Sequence, residues 1–219
     1  MTTAEAAARL GVSQRQVQRL VAAGMIAESR IVGRSLLVDA GDVVALAGRD
    51  RHRGRPWSEP VAWAALWRLS GLEAAWLDAQ AGRRLSRRLA GVDVDGLLWA
   101  CRGRARVEGY RASASYLAEV RRSVVPSGAS GLDRSRDLMA APADRVDGYC
   151  TAAARDRMVE ECFLAADPQG DVTLRVTDFA AVGGWEGVMP LAVVAADLAE
   201  SADPREAGVG RGLLGRLLA

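Results

Sequence analysis

The chain has no lysine and no asparagine, and only one histidine, His52, so all 29 of its basic residues are arginines. That bias is chiefly the mark of GC-rich codons, although arginine's planar fork also suits phosphate and base-edge recognition. A Ser-His-Asp triad or a histidine-rich metal site would have to be built from His52, which stands among Arg49, Arg51, Arg53 and Arg55. Neighbouring cations disfavour its charged form and nothing nearby is placed to orient it. Zinc hydrolysis and His-based acyl transfer are therefore not expected. Cysteines are equally scarce. Cys101, Cys150 and Cys162 are odd in number, far apart and without a C-x-x-C pair, which argues against a disulfide framework and for a reducing, cytoplasmic setting. The uncharged run "MPLAVVAA" from Met189 is too short to span a bilayer, and "MTTAEAAARL" lacks the basic region and apolar core of a signal peptide. P-loop, G-x-G-x-x-G and internal repeats are also missing. Neither a cofactor nor a membrane partner is expected.

What is present is half hydrophobic and about a quarter charged, enough for a folded chain with a core. The net charge of +2 conceals an asymmetry. Residues 1 to 125 carry 20 arginines against 12 acids, and residues 126 to 219 carry 9 against 15. The first stretch is thus +8 and the rest −6, so a nucleic-acid partner would meet the N-terminal part.

The N-terminal stretch "TTAEAAARLGVSQRQVQRLVAAG" has the start and stop signals of two short helices. Thr2 with Glu5 forms a capping box, and Ala6, Ala7 and Leu10 supply an apolar face. Gly11-Val12 makes a turn, Ser13 with Gln16 opens a second capping box, and Val17, Leu20 and Val21 give the next buried stripe. Gly24 then ends the helix in a left-handed conformation. Two short β-rich runs, Arg30 to Val32 and Leu36 to Val38, flank Gly33-Arg34 as a hairpin tip, and Asp42 is expected to cap a last short helix. "AEAAARLGVSQRQVQRLVAAGMI...VGRSLLVDAGDVVAL" resembles the MerR/excisionase-like family of winged helix-turn-helix domains over residues 1 to 47. In that family the second helix enters the major groove. The resemblance therefore makes Gln14, Arg15, Gln18 and Arg19 the base-reading candidates, since Gln pairs with adenine and Arg with guanine. Ser13 at the helix N-terminus suits a phosphate. Arg34 on the wing and Arg30 on its strand would touch the backbone or the neighbouring minor groove. The alternative is a winged helix used for protein contacts, with a solvated polar face.

"RHRGRPW" follows, and its Arg53-Gly54-Arg55-Pro56 is the pattern by which AT-hook peptides lie in the minor groove. Without further basic and proline flanks, and running straight into Trp57, it fits a basic linker at least as well. Arg53 and Arg55 would strengthen phosphate attachment in either case.

Helical spacing dominates from Trp57 to about Gly103. Five of the six tryptophans lie between residues 57 and 99, as core anchors would. Arg83, Arg84, Arg87 and Arg88 share one helix side, either a solvated face or a second phosphate-contacting surface. "RARVEGYRAS" has the pattern of a strand, "ASYLAEVRRS" that of a helix, and "VVPSGASGLDRSR" that of a loop and boundary. Strand "RVDGYC", helix "AAARDRMVEECFL", a turn at 167–170 and strand "DVTLRVTD" follow. In the last, Val172, Leu174 and Val176 alternate with Thr173, Arg175 and Thr177 as in a half-buried strand. "MPLAVVAADLA" is a buried segment, expected as an apolar strand. Asp203 is expected to cap a closing helix. Asp197, Glu200 and Asp203 cluster where enzymes place metal-binding carboxylates. The simpler assignment makes Glu200 solvated and pairs Asp197 with Arg205 or a backbone donor, so no catalysis is expected.

The fold class is thus α+β: an N-terminal winged helix-turn-helix (1–47), a basic linker (48–57), a helical middle segment (58–123) and an acidic, mixed α/β C-terminal domain (124–219). "GYRASASYLAEV", "VPSGAS", "VDGYC", "DVTLRV" and "VVAADLAESADPREAGVGRGLL" resemble the C-terminal module of actinobacterial AbiEi-type antitoxins of type IV toxin–antitoxin systems, over about residues 104 to 217. That resemblance implies a repressor of its own operon that counteracts a nucleotidyltransferase-like toxin. The first domain departs from that family, so its DNA-contacting residues carry over only by role. Expected partners are double-stranded DNA, such a toxin, and a second copy of the chain in a homodimer. An excisionase-like recombination directionality factor is the competing reading, although such factors are usually little more than the first fifty residues. An enzyme built on the acidic cluster is the third.

Overall fold

The computed structural model describes residues 1–10, 12–24, 26–32, 35–43, 55–132 and 144–219. Its chain forms two compact units, Met1–Gly54 and Arg55–Ala219. It mixes helix and sheet, as the α+β pattern requires.

In the first unit, α1 (Thr3–Leu10) and α2 (Gln14–Ala22) are closed by the caps legible in the sequence. Thr2 N–H donates to Glu5 Oε2 at 2.8 Å while Glu5 N–H donates to Thr2 Oγ1 at 3.2 Å. Each bond satisfies a backbone donor that a helix start leaves unpaired. Ser13 Oγ likewise accepts from Gln16 N–H. Gly24 has φ +70°, a conformation that a side chain would strain and that ends α2. An antiparallel pair follows, β1 (Glu28–Val32) and β2 (Ser35–Val38), with Val32 opposite Ser35. Its tip at Gly33-Arg34 lies outside the described residues. The wing is wider than the sequence indicates. Thr2 bridges Leu37 in antiparallel fashion, and Val38 N–H donates to the Met1 carbonyl at 2.9 Å.

The helical turn over residues 40–43 is capped by Asp39, whose Oδ1 accepts from Asp42 N–H at 2.9 Å. Asp42, the expected cap, instead accepts from Ala27 N–H at 2.8 Å and ties the turn to the start of the wing. The core is small: Ala6, Ala7, Leu10, Val17, Ile26, Val38 and Val43.

The second unit opens with three helices, α3 (Glu59–Leu69), α4 (Ala79–Leu89) and α5 (Val94–Cys101), the last two N-capped by Asp78 and Asp93. Strand β3 (Arg106–Arg111), helix α6 (Leu117–Arg122), the short β4 (Val125–Pro126) and a 3-10 turn at Gly128–Gly131 follow. Then come β5 (Val146–Cys150), α7 (Ala152–Glu161), β6 (Ala165–Ala166), β7 (Val172–Val176), the single turn α8 (Ala180–Gly183), α9 (Leu191–Ala199) and α10 (Pro204–Leu218). The sheet order is β4-β5-β7-β3-β6, with only β5 and β7 parallel. β3, from the expected middle segment, pairs antiparallel with β7. The stretches 58–123 and 124–219 therefore lie within one compact unit and share one sheet.

Two layers enclose that sheet. Val146, Cys150, Val172, Leu174 and Val176 pack with Leu117 and Val120 of α6 and Met158 of α7. On the other face, Tyr149 joins the larger core with α3 and α9. Trp63 stands at its centre, edge-on to Trp67 and Tyr149 with centroids 5.5 and 5.2 Å away, and stacked on Phe179. The run from Leu191 is a buried helix rather than a strand: every residue of α9 from Ala192 to Ala199 is buried. At the α9–α10 crossing, a Cβ on Gly210 would lie 2.3 Å from Ala199 N and 2.5 Å from Ala195 O, so only glycine permits this approach. Helix α7 ends unusually, with Phe163 in the left-handed conformation (φ 51°), while Leu164 N–H reaches back to the Val159 carbonyl.

Candidate nucleic-acid interface

Helix α2 sorts its residues by burial. Val17 is fully buried and Leu20 and Val21 half-buried, whereas Ser13, Gln14, Arg15, Gln18 and Arg19 are exposed. At about 100° of rotation per residue, Arg15 and Arg19 fall opposite Val17 with Gln18 beside them. Gln14 lies about 60° from Val17, at the edge of the buried stripe. Gln18, one turn on, lies only about 40° from Gln14, so the four exposed side chains Gln14, Gln18, Arg15 and Arg19 share one arc of about 140°. No acid stands on α2, so nothing on the helix itself opposes an approaching phosphate. The Ser13 hydroxyl is engaged as the N-cap acceptor, which leaves its O–H free to donate.

The remaining candidates are placed differently. Arg30 lies on β1, with its side chain outside what the structure describes. Arg34 and Arg53 lie outside the described residues, as do His52 and most of "RHRGRPW". Arg55 is described and exposed. It belongs to the second unit, at a groove of about 560 Å³ that it lines together with Trp57, Val61 and Arg88.

The second unit holds a cluster of charge that sequence reasoning assigned otherwise. Arg104 and Arg175, 2% and 4% exposed, meet the fully buried Asp197. Arg104 Nη2 lies 2.6 Å from Asp197 Oδ1 and 2.7 Å from Glu200 Oε2, and Arg175 Nη1 lies 3.1 Å from Asp197 Oδ1. Tyr149 donates to Asp197 Oδ1 at 2.9 Å, and Ser127 donates to Oδ2. Asp147 accepts two hydrogen bonds from Arg175. Burial alone disfavours the Arg104 cation, but Tyr149, Asp197 and Glu200 hold its pKa above the ordinary value. The Tyr149 phenol is pushed up by burial and by Asp197.

The structure corrects three assignments here. Asp197 pairs with Arg104 and Arg175 rather than Arg205. Glu200 is bound by Arg104 rather than free in solvent. The expected outer face of β7 is also covered, because Arg175 points into this cluster beneath α9. Asp203 does cap α10, accepting from Arg205 N–H at 2.8 Å, and so stands apart in role from Asp197. A cavity of about 800 Å³ borders the cluster, with Asp147, Asp171, Glu200, Asp203 and Glu206 in its wall. Each of these carboxylates already accepts a hydrogen bond from the protein. One sequence signal did point here: an acid alone inside the apolar run "LAVVAADLA" has to find buried donors.

The first 51 residues match the family model described as a helix-turn-helix domain, in agreement with the α1–turn–α2 geometry. No curated protein and no solved structure matches the chain. Among the described residues, no helix is long and apolar enough to cross a membrane.

Proposed function

We propose that the chain is a sequence-specific DNA-binding transcriptional regulator that represses its own operon, with α2 as the reading helix. The observation that carries this is the exposed Gln14–Arg15–Gln18–Arg19 face on a helix without acids, within a matched helix-turn-helix domain. Arg15 and Arg19 take guanine edges and Gln18 an adenine edge. Gln14 reads a second adenine edge, Ser13 takes a phosphate, and Arg30 and Arg34 touch the backbone or the neighbouring minor groove. Arg53 and Arg55 strengthen backbone attachment. The second unit supports dimerisation and contact with a nucleotidyltransferase-like toxin, in the manner of an antitoxin, and carries out no catalysis.

Fluorescence anisotropy on DNA from upstream of the gene, against scrambled DNA and across a salt series, tests the reading. Preference for the upstream DNA that disappears in Arg15→Ala supports it, and equal binding of both DNAs by the wild type overturns it. The compact first unit also fits an excisionase-like directionality factor. Such a factor would bend its site beside an integrase, and a circular-permutation gel assay reads that bend directly.

A further inference from the structure

Helix α4, "AQAGRRLSRRL", carries four arginines and no acid. Gly82 and Leu85 are buried, while Arg83, Arg84, Arg87 and Arg88 are all exposed. At about 100° per residue the four occupy about 140° of arc on the side away from Leu85. None of them forms an ion pair among the described residues. By contrast, Arg104, Arg106, Arg111, Arg122, Arg155, Arg175 and Arg211 are each matched to a carboxylate.

The helix does not need these cations to stay folded. Asp78 caps it, accepting from Ala81 N–H at 2.7 Å, and Arg68 from α3 clamps it through the Gly82 carbonyl and Ser86 Oγ. Spacing at i and i+4 sets Arg83 against Arg87 and Arg84 against Arg88, and both like-charge pairs work against the helix. Arg88 also shares the 560 Å³ groove with Arg55. Trp57 N–H donates to the Ala100 carbonyl at 2.9 Å, which anchors the chain two residues beyond Arg55. Arg55 and Arg88 thus meet where the second unit begins, and Arg83, Arg84 and Arg87 continue the charge along the same helix, none of the five ion-paired among the described residues.

We infer that the arginine face of α4, together with Arg55, is a second DNA-contacting surface that grips backbone phosphates without reading sequence. The occupant is the duplex bound by the first unit, and in that respect the inference rests on the function proposed above. Charge complementarity selects a polyanion. Continuity along the chain selects DNA, because Arg55 directly follows the helix-turn-helix unit and its basic extension. Arginine is suited to the task, since its fork bonds phosphate oxygens in pairs and is weakly hydrated. Each phosphate contact releases counterions, so the surface adds salt-sensitive affinity and no base preference.

The test compares the full chain with a quadruple variant, Arg83→Gln, Arg84→Gln, Arg87→Gln and Arg88→Gln. Glutamine keeps the helix propensity, and circular dichroism checks the fold. A double variant, Arg83→Gln with Arg87→Gln, is the fallback and should show about half the effect. Binding is measured by anisotropy on the upstream DNA, on the same DNA extended by about two helical turns (~20 base pairs), and on scrambled DNA. The slope of log K against log salt should fall by about 2–4 in the quadruple variant, at about 0.9 per phosphate contact. The loss should be equal on upstream and scrambled DNA and larger on the extended duplex.

Upstream preference with an unchanged slope in the variant overturns the inference and leaves the regulator reading intact. A reduced slope without any sequence preference in the wild type does the reverse. If the wild type binds neither DNA, both fall.

Discussion

The same residue type serves opposite ends in two parts of the molecule. Beneath the sheet of the second unit, Arg104 and Arg175 are buried and ringed by Asp197, Glu200, Asp147, Tyr149 and Ser127. On α2 and α4 the arginines are exposed and carry no acidic neighbour on their own helix. The buried pair spends its charge on partners that the fold supplies, while the arginines of α2 and α4, unlike the exposed Arg106, Arg111, Arg122 and Arg211, meet no carboxylate among the described residues. Arginine content alone therefore says little about function. What separates the two populations is whether the tertiary structure brings a carboxylate to each guanidinium.

The widest separation should come from removing the shared acid. Asp197→Ala leaves two buried guanidinium groups short of a counter-charge, and breaking a buried pair in this way costs about 3–5 kcal/mol. Urea unfolding followed through the second unit's tryptophans should show a loss of that size, whereas the first unit's secondary structure should persist. Next in size is Gly210→Ala, which forces α9 and α10 apart and should cost about 1–3 kcal/mol by the same assay.

Arg15→Ala should leave thermal stability unchanged and reduce discrimination between upstream and scrambled DNA by about 1–3 kcal/mol, roughly 5- to 150-fold. A denaturation midpoint that moved as far as the binding constant would erase the distinction between the two arginine populations.

Smaller effects sharpen the comparison chemically. Burial pushes the Cys101 and Cys150 thiols up to about 12, and all three cysteines are buried in the second unit. Iodoacetamide at pH 8 should therefore label the native protein hardly at all, and labelling should track unfolding of the second unit only.

At acid pH, Glu108 is the group to watch. Burial raises its pKa, but hydrogen bonds from Tyr110 and Arg106 and the charge of Arg155 outweigh that and hold it below the ordinary carboxylate value. A depressed folded-state pKa contributes stability above the unfolded value and loses it as pH falls through the folded one. Glu108→Gln should accordingly flatten the fall in stability of the second unit below about pH 4.5.

Much of this architecture was legible because it is local. Thr2 with Glu5, Gly24 and Asp203 each act within a few residues, as the sequence indicates. The Ser13–Gln16 box is half formed among the described residues, with Ser13 capping Gln16 N–H and no return bond from the Gln16 side chain. Alternation in β7 was also correct as alternation, with Val172, Leu174 and Val176 on one face. What the sequence did not display is that the opposite face has a cover too. Arg104 and Asp197 are 93 residues apart, and nothing in the neighbourhood of either announces the other. The run from Leu191 was ambiguous for a related reason. An apolar segment of nine residues satisfies either a buried strand or a buried helix, and only packing decides. The Asp42 cap failed by a short step: Asp39, three residues earlier, took the role and released Asp42 to bind Ala27.

Helix α7 ends on Phe163, a residue that holds the left-handed backbone and stays 73% exposed. Glycine is the usual occupant of such a stop, and a left-handed backbone costs a residue with a side chain about 1–2 kcal/mol. Among the described residues, the ring's one aromatic contact is a tilted approach to Tyr116 at 5.8 Å. Exchange for glycine would relax the backbone and take a large apolar group off the surface, so this corner tolerates rewriting. It is the natural place to attach a spectroscopic label, on the face of the sheet opposite the buried Arg104–Arg175–Asp197 cluster.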